Sequence, residues 1–203
     1  MKKIKYFCIL SILLFSLVFI TISSYAISVS TDLSNNFFRL HILANSDSEE
    51  DQALKLKVRD NIIEYMETLT YDGLSKEEVV TLTQNHLDDF KKIAEETIKK
   101  EGFDYKVSLK IDNFYFPTKV YGNISLPAGY YDGLKIEIGE AKGQNWWCSL
   151  FPPLCFVDIS SGVIDEETEK NLKNNLSEED FAIITSDSET VKLKFKIVEM
   201  FSK

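Results

Sequence analysis

The chain has 203 residues, 44% of them hydrophobic and 12% aromatic. That is enough apolar material for one folded domain, and it excludes the disordered class. A net charge of −9 with no basic stripe argues against a nucleic-acid or anionic-membrane ligand and leaves a protein as the expected partner.

Lys2, Lys3 and Lys5 precede an uncharged, mostly apolar run from Tyr6 to Ile22, followed by Ser23-Ser24-Tyr25-Ala26. This basic start, apolar middle and small-residue end is the layout of a secretory signal peptide over residues 1–26, cut after Ala26. The alternative is an uncleaved N-terminal anchor, since the run is just long enough to span a bilayer. Cleavage would take the net charge to −12. Residues 27–36 are expected as a short tether and 37–203 as a single domain.

Phe37 to Leu43 alternates as a strand. Asp47 or Ser48 then caps a helix with an acidic first turn (Glu49, Glu50, Asp51) and an apolar face of Leu54, Val58, Ile62, Met66 and Leu69. After a turn at Tyr71-Asp72-Gly73, a capping box of Ser75 with Glu78 opens a second long helix, expected from Lys76 to Lys100 and stopped by Gly102. The period then changes to two. Phe103 to Ile111, Lys119 to Leu126 and Gly133 to Gly139 are read as strands of an antiparallel meander. An irregular Cys/Trp/Pro loop follows, then a helix over 165–180 and a closing strand from Val191 to Ile197. Between Asp165 and Glu189 nine acids face two lysines. The sum is an α+β fold with two long helices packed on an antiparallel or mixed sheet.

The segment GQNWWCSLFPPLCF, residues 143–156, raises the chemical question. A cysteine hydrolase needs a histidine held beside its thiol, and the chain has only His41 and His86. His86 falls between Leu82 and Phe90 on a packed helix face, whereas His41 shares a strand face with Arg39. A Cys148–His41 dyad is allowed by residue type alone. Zinc needs more ligands than Cys148 and Cys155 supply, no C-x-x-C pair is present, and the acids at 47–51 read as a helix start, so neither metal nor cofactor is expected. Two readings of the cysteines remain: a disulfide, which export and the Pro152-Pro153 bend favour, or two buried thiols. Trp146, Trp147, Phe151, Leu154 and Phe156 either pack on the sheet or form an exposed anchor for a partner.

Three blocks carry a family resemblance. FRLHILANSDS (38–48) with DQALKLKVRD (51–60), YGNISLPAGYYDGLKIEIGEAKGQNWWCSLFPPLCFVD (121–158) and KFKIVEMF (194–201) resemble the stage II sporulation protein R family. The resemblance implies a protein without chemistry of its own. It would be exported across the forespore membrane into the space facing the mother cell, where it activates a membrane-embedded aspartic protease of GA type that processes the precursor of sigma factor E. Contact residues are then expected at Trp146, Trp147, Phe151 and Leu154, with Arg39, His41, Asn45 and Asp47 as a second contact or its support. The competing reading is an exported cell-wall hydrolase using Asp/Glu or Cys148/His41.

Overall fold

The computed structural model describes residues 2–71, 73–155 and 166–185. Helix α1 (Lys2–Asn36) leads into strand β1 (Phe38–Leu43), and helices α2 (Glu49–Leu69), α3 (Lys76–Asn85) and α4 (Leu87–Lys100) follow. Then come β2 (Val107–Phe116), β3 (Lys119–Tyr121), β4 (Ile124–Leu126), β5 (Gly129–Ile138), β6 (Asn145–Phe151), α5 (Glu166–Asn175) and α6 (Glu178–Thr185). The fold is α+β. The expected closing strand at Val191–Ile197, Phe156 and the turn residue Asp72 lie outside the described residues.

Four strands form a mixed sheet in the order β2-β5-β1-β6, and β3 with β4 makes a separate hairpin. The simple antiparallel meander is therefore corrected: β1 pairs with β5 in parallel and with β6 antiparallel, while β5 also pairs antiparallel with β2. The first strand has been placed in the middle of the sheet by a crossover through α2–α4. The loop expected to be irregular around the tryptophans is also corrected, because Asn145–Phe151 is the edge strand β6 among the described residues. Its Trp-Trp-Cys-Ser-Leu-Phe sequence is rich in residues that suit a pleated, half-buried surface.

The long second helix is two. The chain breaks at His86, whose backbone (φ −107°, ψ 16°) both ends α3 and starts α4. Asn85 and His86 are poor helix formers, and Asp88 and Asp89 favour a fresh helix N-terminus just after them. The break is fixed on its outer side by His86, whose Nδ1 lies 2.9 Å from Asp89 Oδ2 and 3.0 Å from Tyr65 Oη.

The strand period divides the sheet into two faces. Phe38, Leu40 and Ile42 of β1 stand beside Leu134, Ile136 and Ile138 of β5 and pack with Leu54, Val58 and Ile62 of α2 and Phe90, Ala94 and Ile98 of α4. This helix-covered face is the core. Residues 27–36, expected as a tether, are the last turns of α1. Leu33 there is fully buried, and Ser34 offers its carbonyl to Lys76 Nζ at 3.3 Å. The earlier part of the same helix, Ile4–Thr21, is apolar and unburied, compatible with a signal sequence or an anchor.

Candidate functional site

The opposite face of the sheet carries Arg39 and His41 of β1, and both are buried. The Arg39 guanidinium lies 4.3 Å from the Phe116 ring centre and 4.8 Å from that of Tyr131, and its Nη2 donates to Tyr121 Oη at 3.0 Å. Tyr121 in turn donates to the Trp147 carbonyl, so the β3–β4 hairpin is tied across this end of the sheet. Desolvated cation–π contacts offset part of the cost of burying the charge. Gly133 makes the arrangement possible: a Cβ there would stand 2.9 Å from the Arg39 carbonyl and 3.1 Å from Phe116.

His41 stacks on Trp147 at 4.8 Å between ring centres, with Phe114 and Phe116 at 5.2 and 5.3 Å. Burial, helped by the nearby Lys135 charge, lowers its pKa to about 4, so the ring is neutral at pH 7. The Asn145 side chain beside the ring opposes this lowering through a side-chain hydrogen bond.

Between β1 and α2, the ANSDS turn (44–48) is a clamp. Asp51 accepts from Asn45 Nδ2 at 2.8 Å and Ser46 Oγ at 2.5 Å, and its own amide is capped by Ser48 Oγ at 3.2 Å. Burial raises the Asp51 pKa, but hydrogen bonds from Ser46, Asn45 and Tyr105 outweigh it and hold the carboxyl below its usual range. The same turn grips the β5–β6 connection: Asn45 Oδ1 accepts from the Glu140 amide at 2.9 Å and Asp47 Oδ1 from the Gln144 amide at 2.7 Å. Gly143 lies so close that a Cβ would fall 2.1 Å from the Ser46 carbonyl oxygen. Asn45 and Asp47 thus join two loops of the domain.

Cys148 and Cys155 form a disulfide with Cα atoms 5.0 Å apart. Cys148 pairs with Leu40 across the strands and points into the helix-side core, while its neighbour Trp147 pairs with His41 on the other face. The Cys148–His41 dyad is therefore overturned twice, by the bond and by the sheet between the two groups. Among the described residues no cluster of three His, Cys, Asp or Glu is placed to hold a metal ion.

The expected contact residues are dispersed. Trp146 faces the helices, half-buried, with Arg59 at 4.2 Å from its ring centre, and Trp147 is half-buried on the opposite face. Phe151 is half-buried, and Leu154 is buried behind the turn made by its amide donating to the Ser149 carbonyl at 3.0 Å. An exposed aromatic anchor is not what these residues form. Adjacent side chains on a strand must diverge, so the two tryptophans serve opposite faces. Sequence reasoning missed Tyr121, Phe116 and Gly133. Lys119 to Leu126, read as one strand, is corrected: the chain turns at Gly122-Asn123 into the β3–β4 hairpin.

The fold and site thus define an α+β domain, stapled by one disulfide, that follows an N-terminal apolar helix of membrane-spanning length. A family model described as Stage II sporulation protein R (spore_II_R) matches residues 34–161. Stage II sporulation protein R of Bacillus subtilis (strain 168) is 37% identical over 198 residues, covering 95% of this chain and 88% of that protein. The chain belongs to the stage II sporulation protein R family. No solved structure gives a significant match.

Proposed function

We propose that this chain is an exported signalling protein of endospore formation. Leaving the forespore, it activates a membrane-embedded aspartic protease of GA type, which then processes the precursor of sigma factor E in the mother cell. The observation that carries the reading is membership of the sporulation family over most of the chain. The apolar N-terminal helix suits export, whether it is cleaved or kept as an anchor, and a disulfide suits an extracytoplasmic domain. Activation by binding requires that the protein favour the active state of the protease over the resting one, since equal affinity for both shifts nothing.

Co-expression with the protease and the sigma-factor precursor in a non-sporulating host tests this. Precursor cleavage should require the chain and should be lost when residues 2–26 are deleted. Cleavage at the same rate without the chain would refute the proposal. Purified protein should leave peptidoglycan intact, and its hydrolysis would favour the cell-wall reading.

A further inference from the structure

The two edges of the sheet are built differently. Edge strand β6 carries a bulge: Phe151 faces Phe38 and Ser149 faces Arg39, leaving Leu150 extra, and Pro152-Pro153 follows the strand directly. Bulges and prolines are among the means by which a sheet edge is kept from recruiting another strand. The other edge, β2, runs ten residues without a proline and pairs with β5 without a shift. Among the described residues no strand lies on its outer side.

The groups that β2 turns outward follow from its register. The Gly139 amide donates to the Lys106 carbonyl at 2.8 Å, and the two residues stand opposite each other where the β2–β5 register is extended by one place. Hydrogen-bonded positions alternate along an antiparallel pair, so the even-numbered residues of β2 bond to β5. Val107, Leu109, Ile111, Asn113 and Tyr115 therefore turn their amides and carbonyls to the open edge. On the face opposite the helices, Lys110 and Asp112 pair at 2.5 Å with side chains 66% and 49% exposed. This strip is neutral, so it selects neither an acidic nor a basic segment. Its two charges are instead placed one on each side of Ile111.

We infer that β2 is an interface between two copies of this chain, paired antiparallel about a twofold axis at Ile111. Two independent constraints meet in that register. Hydrogen bonding requires odd-numbered residues to face odd-numbered ones, and Ile111 opposite Ile111 satisfies it. The same register sets Lys110 of each copy opposite Asp112 of the other, and opposite charges in that position are stabilising. Moving the axis to Leu109 or Asn113 leaves Lys110 opposite Ser108 or Phe116. The pairing continues one four-stranded sheet into the other, and as an isologous contact it closes at the dimer. A single strand pair is a small interface, so the association is weak and concentration-dependent. The inference does not rest on the activator reading, and its test does not read processing.

Sedimentation of the full chain in non-denaturing detergent, over a concentration series, measures the association. The wild type should form dimer as concentration rises. Lys110→Glu alone and Asp112→Lys alone each set two like-charged pairs across the axis and should raise the dissociation constant about tenfold or more. Lys110→Glu combined with Asp112→Lys restores the opposite charges and should restore the dimer, a rescue that neither a folding defect nor a charged-ligand site produces. The register is read by oxidative cross-linking in a Cys8→Ser background. Directly opposed residues at a position without hydrogen bonds lie about 4.5 Å apart between Cα atoms, within disulfide reach. A mixture of Lys110→Cys and Asp112→Cys chains should therefore give covalent dimer, and either chain alone much less. A chain monomeric at every concentration, single variants that dimerise like the wild type, or a double exchange without rescue overturns the inference. So does a bond within one chain between Lys110→Cys and Lys194→Cys, which would show residues 191–197 closing the edge instead.

Discussion

Replacing Cys155 with Ser isolates what the disulfide contributes. Cys155 is half-buried and its Sγ lies 3.1 Å from the Ser149 carbonyl, so a serine hydroxyl there can donate to the same oxygen. Cys148, left as a free thiol among Leu40 and the helix-side core, behaves as a small apolar group. The perturbation is therefore mainly the lost cross-link. It closes a short loop, the two cysteines being seven positions apart. Loop-closure entropy for such a ring amounts to about 2.5 kcal/mol. For a domain of this size that corresponds to a fall of about 5–10 °C in melting temperature. Cys148→Ser should cost about 1–3 kcal/mol more, because it adds a hydroxyl to the buried face. Thermal and urea denaturation of the exported protein, with and without reductant, measure both. Reductant should lower the wild-type midpoint to that of Cys155→Ser and leave the variant unmoved. Equal midpoints for wild type and Cys155→Ser under oxidising conditions would refute the reasoning.

Gly143→Ala forces a methyl against the backbone of Ser46. It should lower stability by about 1–3 kcal/mol through overpacking at a turn held by backbone groups on both sides, read from the urea midpoint. Leu33→Ala should cost about 2–5 kcal/mol, because the end of α1 is core; no change would return residues 27–36 to the role of a tether. Stability should also fall in acid because of His41. Its folded pKa of about 4 lies below the unfolded value near 6.5, so the unfolded chain binds more protons between them. The neutral ring's contribution is complete above pH 6.5 and is lost as pH falls toward 4, a change on the order of 3 kcal/mol. His41→Phe should flatten the difference in urea midpoint between pH 7 and pH 4.5, and an unchanged slope would contradict it.

What was legible in the sequence followed local rules. The span of α2, its Ser48 cap and the Ser75–Glu78 capping box all depend on neighbours within four residues, and the structure has them as read. The split at His86 was missed because the apolar spacing of Leu82, Phe90 and Ala94 continues across it, and only the poor helix formers at 85–86 marked the break. Strand order was not legible at all. Nothing local says that β1 returns to lie between β5 and β6, because that pairing is chosen by burial of Leu40 and Ile42 on both sides. For the same reason the Trp-Cys-Ser-Leu segment looked like a loop: its prolines were visible, while the partner strand that extends it lies about a hundred residues earlier in the chain.

This topology also explains what most of the family's signature does in the fold. In FRLHILANSDS the alternate residues Phe38, Leu40 and Ile42 fill the core, Arg39 is sealed between Phe116 and Tyr131, and Asn45, Ser46 and Asp47 hold α2 to the β5–β6 loop. Of that block Asp47 and Ser48 are exposed and Leu43, Asn45 and Ser46 half-buried, while His41 is buried beneath Trp147. A central strand flanked on both sides has little edge or face to offer a partner, so its residues act by fixing the register of their neighbours. On the face opposite α2 and α4, Lys110 and Asp112 of β2 are exposed and Lys135 of β5 is half-buried. A one-residue slip of β5 against β1 would turn Lys135 into the core and Leu134 outward. The buried motif therefore acts through its neighbours: it sets the register that keeps Leu134 and Ile136 in the core and the Lys135–Glu137 ion pair on the other face.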